Sequence, residues 1–179
     1  MNASDNQIAE TTRESMPSRR TVLGAGGAIG LALLKPESVF AQGADGANTI
    51  RVGFISPRTG PLASFGETDG YVLDLARKSL AAGLTVGGKK YAVEILDRDT
   101  QSDPARASQL AKALIDSSKV DLILTIAAPE TTNPVADACE AAGVPCVATV
   151  VPWESFYFGR GAKPGAPSPF KWSYVFSFG

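Results

Sequence analysis

The chain is predicted to fold as an α/β domain, a doubly wound parallel sheet with helices on both faces. Three observations carry this expectation. Short β-branched apolar runs alternate with segments whose apolar residues recur at three and four. The runs are apolar on both faces, as strands buried between helices must be, and the helical segments carry capping residues at their ends.

Ile50 to Ile55 is the first run, ended by Ser56-Pro57, where proline withdraws an N–H from the ladder. Val72, Leu75, Ala76, Ser79 and Leu80 follow with helical spacing up to Gly83, a residue free to take the left-handed turn that stops a helix. Tyr91 to Leu96 alternates as the second strand, and Lys89-Lys90, after Gly87-Gly88, reads as a solvated turn before it. Asp103-Pro104 places an acceptor before an N1 proline, opening a helix with Ala107, Leu110, Ala111 and Leu114 on its inner face. Val120 to Ile126 is the third strand. Asn133-Pro134 repeats the cap and proline signature ahead of Val135, Ala138, Cys139 and Ala142, and Gly143 closes that helix. Val144 to Val150 is the fourth strand. Phe158 to Pro169, rich in glycine and proline, reads as a mobile insertion before a final aromatic strand, Trp172 to Phe178. Cys139 and Cys146 read as buried free thiols, one on the inner face of a helix and one on the next strand, with a disulfide the open alternative in an oxidising compartment.

Composition removes several classes of function. Seventeen basic against 18 acidic residues leave a net charge of −1, too little field to gather nucleic acid. The absence of histidine removes the Ser-His-Asp and Cys-His nucleophile pairs and the HExxH zinc site together. Asp97, Asp99 and Asp103 lie close in sequence, yet Asp103 is explained as a helix cap and the others as strand-end carboxylates, without the bidentate Glu of a calcium loop. No catalytic residue, metal or cofactor is expected, and the chain is read as a non-enzyme.

Residues 1–41 read as an export signal. Ser18-Arg19-Arg20-Thr21-Val22-Leu23 leads into a small-residue apolar run from Gly24 to Leu34, and Val39-Phe40-Ala41 supplies a cleavage site after Ala41. The paired arginines resemble the twin-arginine signal, which implies that export machinery as a partner and the periplasm as destination. Gly24 to Gly30 spells a dinucleotide-like glycine pattern, but no strand precedes it to build a phosphate cradle. Residues 42–49 read as a flexible lead-in, and 50–179 as the α/β lobe.

In a parallel sheet of this kind, ligands meet the loops at the carboxyl ends of the strands. Those loops resemble the type I periplasmic solute-binding proteins of ABC importers, the leucine/isoleucine/valine-binding family. The matching stretches are Val52-Gly53-Phe54-Ile55-Ser56-Pro57-Arg58-Thr59-Gly60-Pro61-Leu62-Ala63-Ser64-Phe65-Gly66, Leu96 to Pro104, Glu130-Thr131-Thr132-Asn133-Pro134 and Gly143-Val144-Pro145. The resemblance implies two lobes closing on a small solute and presenting it to an ABC permease in the inner membrane, with this chain matching the N-terminal lobe and the second lobe missing. It also implies the ligand-binding set: Ser64 and Phe65 after the first strand, Ala128, Pro129, Glu130 and Thr131 after the third, and Val151 and Trp153 after the fourth. Pro129 and Pro152 stand where branched-chain binders carry hydroxyls, so amino-acid-like, amide and amphipathic or aromatic solutes all stay open. A ligand-sensing receptor module of the same fold is an alternative. So is a flavodoxin-like or nucleotide-dependent enzyme, although Pro57, Arg58 and Pro61 occupy the loop where that enzyme needs a phosphate cradle.

Overall fold

A computed structural model describes residues 48–177. The expected export signal, its cleavage point at Ala41 and most of the lead-in lie outside the described residues. The strands are β1 (Thr49–Ser56), β2 (Leu84–Val86), β3 (Lys89–Asp99), β4 (Leu122–Ile126), β5 (Cys146–Thr149) and β6 (Ser173–Phe176). The helices are α1 (Asp69–Leu80), α2 (Pro104–Asp116), α3 (Pro129–Ala142) and the short α4 (Trp153–Tyr157).

The six strands form one sheet in the order β2-β3-β1-β4-β5-β6. Every pairing is parallel except β2 with β3. The sequence order reverses at β1, whose neighbours are β3 and β4, and at such a reversal the loops beyond the carboxyl ends splay apart to leave a crevice.

The predicted fold class holds, with three local corrections. Lys89 and Lys90 are strand residues: Val86 pairs with Lys89 across Gly87-Gly88, both at positive φ, which is the two-residue hairpin turn that two glycines favour. Gly-Gly was a hairpin signal that the charge of the lysines masked. The second correction concerns α3, which starts at Pro129 rather than at Asn133-Pro134; Pro134 lies inside the helix. Two prolines five residues apart both fit a helix start, and the extended backbone of Ala128 decides for the first. Asp103 does cap α2 as expected, accepting from the Arg106 N–H.

The third correction concerns 158–169, expected as a mobile insertion. Its base is clamped by Arg160, whose side chain is 1% exposed. The Arg160 Nε donates to Asp137 at 2.7 Å and Nη2 donates to Ser173 Oγ at 3.1 Å. The guanidinium lies 4.0 Å from the centre of the Phe170 ring and 4.7 Å from that of Phe156.

The core sits between the sheet and the α2, α3 layer. Ile55, Ile123, Cys146 and Ala148 face Ala107, Ala111, Leu114, Val135 and Cys139, all buried. Alanines on the helices let them approach closely, and Gly53 is the matching concession on β1. A Cβ there would stand 3.0 Å from the Leu114 side chain and 3.1 Å from Ile123. The two thiols are free, and the Cys146 thiol is pushed up by its contact with Cys139 and by burial. The opposite face is covered by α1 over β3, leaving Tyr174 and Phe176 of β6 exposed.

Candidate functional site

The predicted ligand-binding residues are distributed over three loops at the carboxyl ends of β1, β4 and β5, which are neighbours in the sheet. Ser64 and Phe65 lie in a short 3-10 turn, Ala63–Gly66, after β1. Ala128 to Thr131 form the start of α3 directly after β4, and Val151 and Trp153 follow β5. Topology therefore brings all eight to one rim of the sheet.

They are not equivalent on that rim. Ser64, Phe65, Glu130 and Trp153 are exposed, while Ala128 and Pro129 are half-buried. Val151 is fully buried in the core, so its side chain packs the sheet rather than the rim. Thr131 is also buried, and its hydroxyl turns back to Ala128 O at 3.4 Å. Sequence reading placed a hydroxyl donor there; the structure uses it to stabilise the helix start. The Thr131 and Thr132 N–H groups donate to the same carbonyl, both at 3.1 Å, and Pro129 has no N–H. That leaves Glu130 as the first-turn residue whose amide has no backbone acceptor, at the positive end of the helix dipole.

The backbone is strained along the same rim. Ala127, immediately after β4, has φ 110°, and Val150, immediately after β5, has φ 70°. Gln101 and Ser102, beyond β3, have φ 55° and 60°. A β-branched residue in the left-handed region is a genuine outlier, and such outliers cluster where a loop is held for a purpose. Val150→Gly is expected to raise stability by about 0.5–1 kcal/mol, as the left-handed penalty outweighs glycine's extra unfolded-state entropy. The urea midpoint of the two proteins checks this.

Sequence reasoning missed what holds the β1 loop. Asp99, at the end of β3, accepts from the Arg58 N–H at 2.9 Å, the Thr59 N–H at 3.3 Å, the Thr59 hydroxyl at 2.7 Å and the Gln101 N–H at 2.8 Å. Ser102 Oγ accepts from the Leu62 N–H at 3.0 Å and donates to Thr59 O at 2.7 Å. Asp97 is shared by Arg58 and Arg77, each at 2.7 Å. Burial alone would raise the Asp97 carboxyl, but the Arg77 hydrogen bond and the two guanidinium charges outweigh it and hold it below its ordinary value. Behind the loop, Asp69 in the first turn of α1 is buried. Burial raises its pKa against the opposing pull of Ser56 and Arg58. The D-x-D-x-x-S spacing was the available signal, since a run of short polar side chains at a strand end can lace a neighbouring loop.

The family described as periplasmic binding protein matches residues 49–178. Among solved structures, the isoleucine complex of the branched-chain amino acid transporter substrate-binding protein LivJ from Streptococcus pneumoniae superposes with a TM-score of 0.58. Its identity is 23%, over 73% of this chain and 34% of that one. A solute-binding protein of an ABC transporter from Rhodopseudomonas palustris, in complex with 3,4-dihydroxybenzoic acid, gives 0.54 at 26% identity, over 72% and 31%. An ABC transporter substrate-binding protein from Sphaerobacter thermophilus gives 0.57 at 25% identity, over 73% and 32%. The chain thus spans about a third of the length of these structures. Comparison with curated proteins finds no match.

Proposed function

Because the chain belongs, over residues 49–178, to the periplasmic binding protein family, we propose that it supplies the N-terminal wall of a substrate-binding component of an ABC transporter. In this reading residues 1–41 direct export through the twin-arginine machinery, and the mature protein works in the periplasm without chemistry. It captures a small solute and delivers it to a permease in the inner membrane.

The observation that carries the reading is the rim itself. Three loops from adjacent parallel strands present a hydroxyl at Ser64, an aromatic ring at Phe65, an acid at Glu130 and an indole at Trp153, on backbone strained at Ala127 and Val150. Selective capture needs this kind of mixed, pre-organised surface and no nucleophile. Proline at 129 and 152 removes donors that a plain carboxylate would use, and Glu130 favours an amide N–H or a cationic group. The solute classes that fit are amino-acid-like, amide and amphipathic or aromatic. The structural relatives crystallised with isoleucine and with 3,4-dihydroxybenzoic acid span that range.

The test is a titration of the full chain with amino acids, amides, urea and aromatic acids, followed by the fluorescence of Trp153 and Trp172. Saturable quenching by one of these classes, weakened by Glu130→Gln or Phe65→Ala, is expected. Saturation by a nucleotide or a flavin, with none of these solutes active, overturns the reading.

A further inference from the structure

Beside α4 and the turn that follows it lies an open concavity of about 360 Å³, lined by Trp153, Tyr157, Phe158, Lys163, Pro164 and Ala166 among others. Apart from Trp153 it shares no residue with the rim described above.

Its floor is aromatic and fixed. Trp153 and Phe158 meet edge to face with ring centres 5.5 Å apart, and Tyr157 stacks on Phe170 at 6.1 Å. Its wall is a turn: the Ala166 N–H donates to Lys163 O at 3.2 Å, with Pro164 and Gly165 at the two central positions and Gly165 at φ 75°. Proline followed by a positive-φ glycine is the type II arrangement, which sets the Lys163 backbone without relying on side-chain contacts. The turn is tied at its base by the Ala162 N–H to Tyr157 O at 3.0 Å and by the buried Arg160 clamp. Among the described residues Lys163 has no ion-pair partner. The concavity therefore combines two half-exposed ring surfaces, each 38% accessible, with one unpaired cation.

We propose that this concavity is a binding site for a single-ring aromatic carboxylate, its ring against Trp153 and Phe158 and its carboxylate on Lys163. Flat rings pack on aromatic edges with little loss of freedom, and the one polar demand of such a ligand is an anion, which the one free cation answers. A pocket of this volume lies at the lower end of the range that small ligands occupy. An aliphatic amino acid would bring an ammonium toward Lys163, and like charges disfavour it. The site needs no second lobe, so it stands or falls apart from the capture reading.

The experiment uses the full chain with benzoate as probe and benzamide as its uncharged counterpart, read by calorimetry and by ligand-observed NMR. Benzoate is expected to bind saturably at concentrations below about 10 mM, the weak end of specific affinity. Lys163→Met is expected to weaken benzoate about tenfold while leaving benzamide within about twofold, the effect of one charge-assisted contact. Ala162→Trp, which fills the concavity from its rim, should abolish both, with circular dichroism confirming the fold. Benzoate binding that is lost in Glu130→Gln or Phe65→Ala but kept in Lys163→Met belongs to the rim, and overturns the proposal. Absence of saturable benzoate binding, or equal loss of benzoate and benzamide in Lys163→Met, overturns it as well.

Discussion

Arg160→Ala is expected to lower the stability of the chain by about 3 kcal/mol, the largest effect of any single polar substitution predicted here. The side chain is 1% exposed, yet its ion-pair partner Asp137 is 59% exposed, so most of the loss does not come from stranding the carboxylate, which rehydrates. It comes from three other sources. The guanidinium is sandwiched between Phe156 and Phe170, and both cation–π contacts vanish together. Its bond to Ser173 Oγ goes, loosening a junction at which Glu140 already accepts from the Lys171 and Trp172 N–H groups at 2.7 and 2.9 Å and from Ser173 Oγ at 2.9 Å. A cavity opens beside fully buried Phe156. Arg160→Lys keeps the charge but neither the fork nor the stacking plane, and is expected to recover less than half of the loss. Urea denaturation measures the energies. Limited proteolysis between 161 and 169 reports the second consequence, faster cleavage once the base of the segment is untied. A change within about 0.5 kcal/mol of wild type, the scatter of ordinary surface substitutions, would mean that the aromatic sandwich carries no stability.

The contrast between this residue and the strands explains how far the sequence could be read. Hydrophobic period is a local property, so β1, β3, β4 and β5 and the helices between them were legible from runs such as Ile50 to Ile55 and Leu110 to Leu114, and parallel pairing, though not the strand order, followed from their alternation. The loops that carry candidate binding residues were placed correctly at the carboxyl ends because topology alone dictates that position. Arg160 was invisible for the opposite reason. It lies between Gly159 and Gly161 in a stretch with the composition of a loose loop, and what fixes it comes from Asp137 on α3 and Phe170 and Ser173 farther on. Only Phe156 is near in sequence; Asp137, 23 residues back, and Ser173, 13 residues on, send no local signal. Thr131 and Val151 show the finer scale: they lie on the expected rim loops, but their side chains are buried, because side-chain direction depends on the exact start of α3 and on the turn at Val150. A one-residue difference there turns a rim group into a core group.

Asp99→Ala is expected to cost about 2 kcal/mol, because one carboxylate accepts four hydrogen bonds from the loop after β1 and from the turn after β3. The donors lie near solvent and water takes over part of their demand, which keeps the figure below the sum of four bonds. Asp99→Asn is expected to be milder, about 1 kcal/mol. The amide oxygen still accepts from the three N–H groups, and only the Thr59 hydroxyl must turn to accept instead of donate. The pair of variants also predicts a pH dependence. Burial on its own would raise the Asp99 carboxyl, but the Thr59 hydroxyl and the Gln101, Arg58 and Thr59 N–H groups outweigh it and hold its pKa below the ordinary value of 3.8. A carboxyl depressed in the folded state contributes stability that is fully present above its unfolded pKa, near 3.9, and is lost as pH falls through the folded value. Asp69 has the opposite sign, since its raised pKa makes ionisation with rising pH a cost to the folded state. The comparison that isolates Asp99 is therefore the difference between wild type and Asp99→Asn, in which the Asp69 contribution cancels. That difference should be constant from about pH 7 to pH 5 and shrink as the pH drops below about 4. Amide exchange supplies the structural counterpart: the Arg58, Thr59 and Gln101 N–H groups should exchange faster in Asp99→Ala, while those of β4 and β5 change only through the global stability. If the difference does not narrow in acid, or the three amides are no less protected, then the loop bearing Ser64 and Phe65 is held by Ser102 and by Asp97 with its arginines, and Asp99 only adorns it.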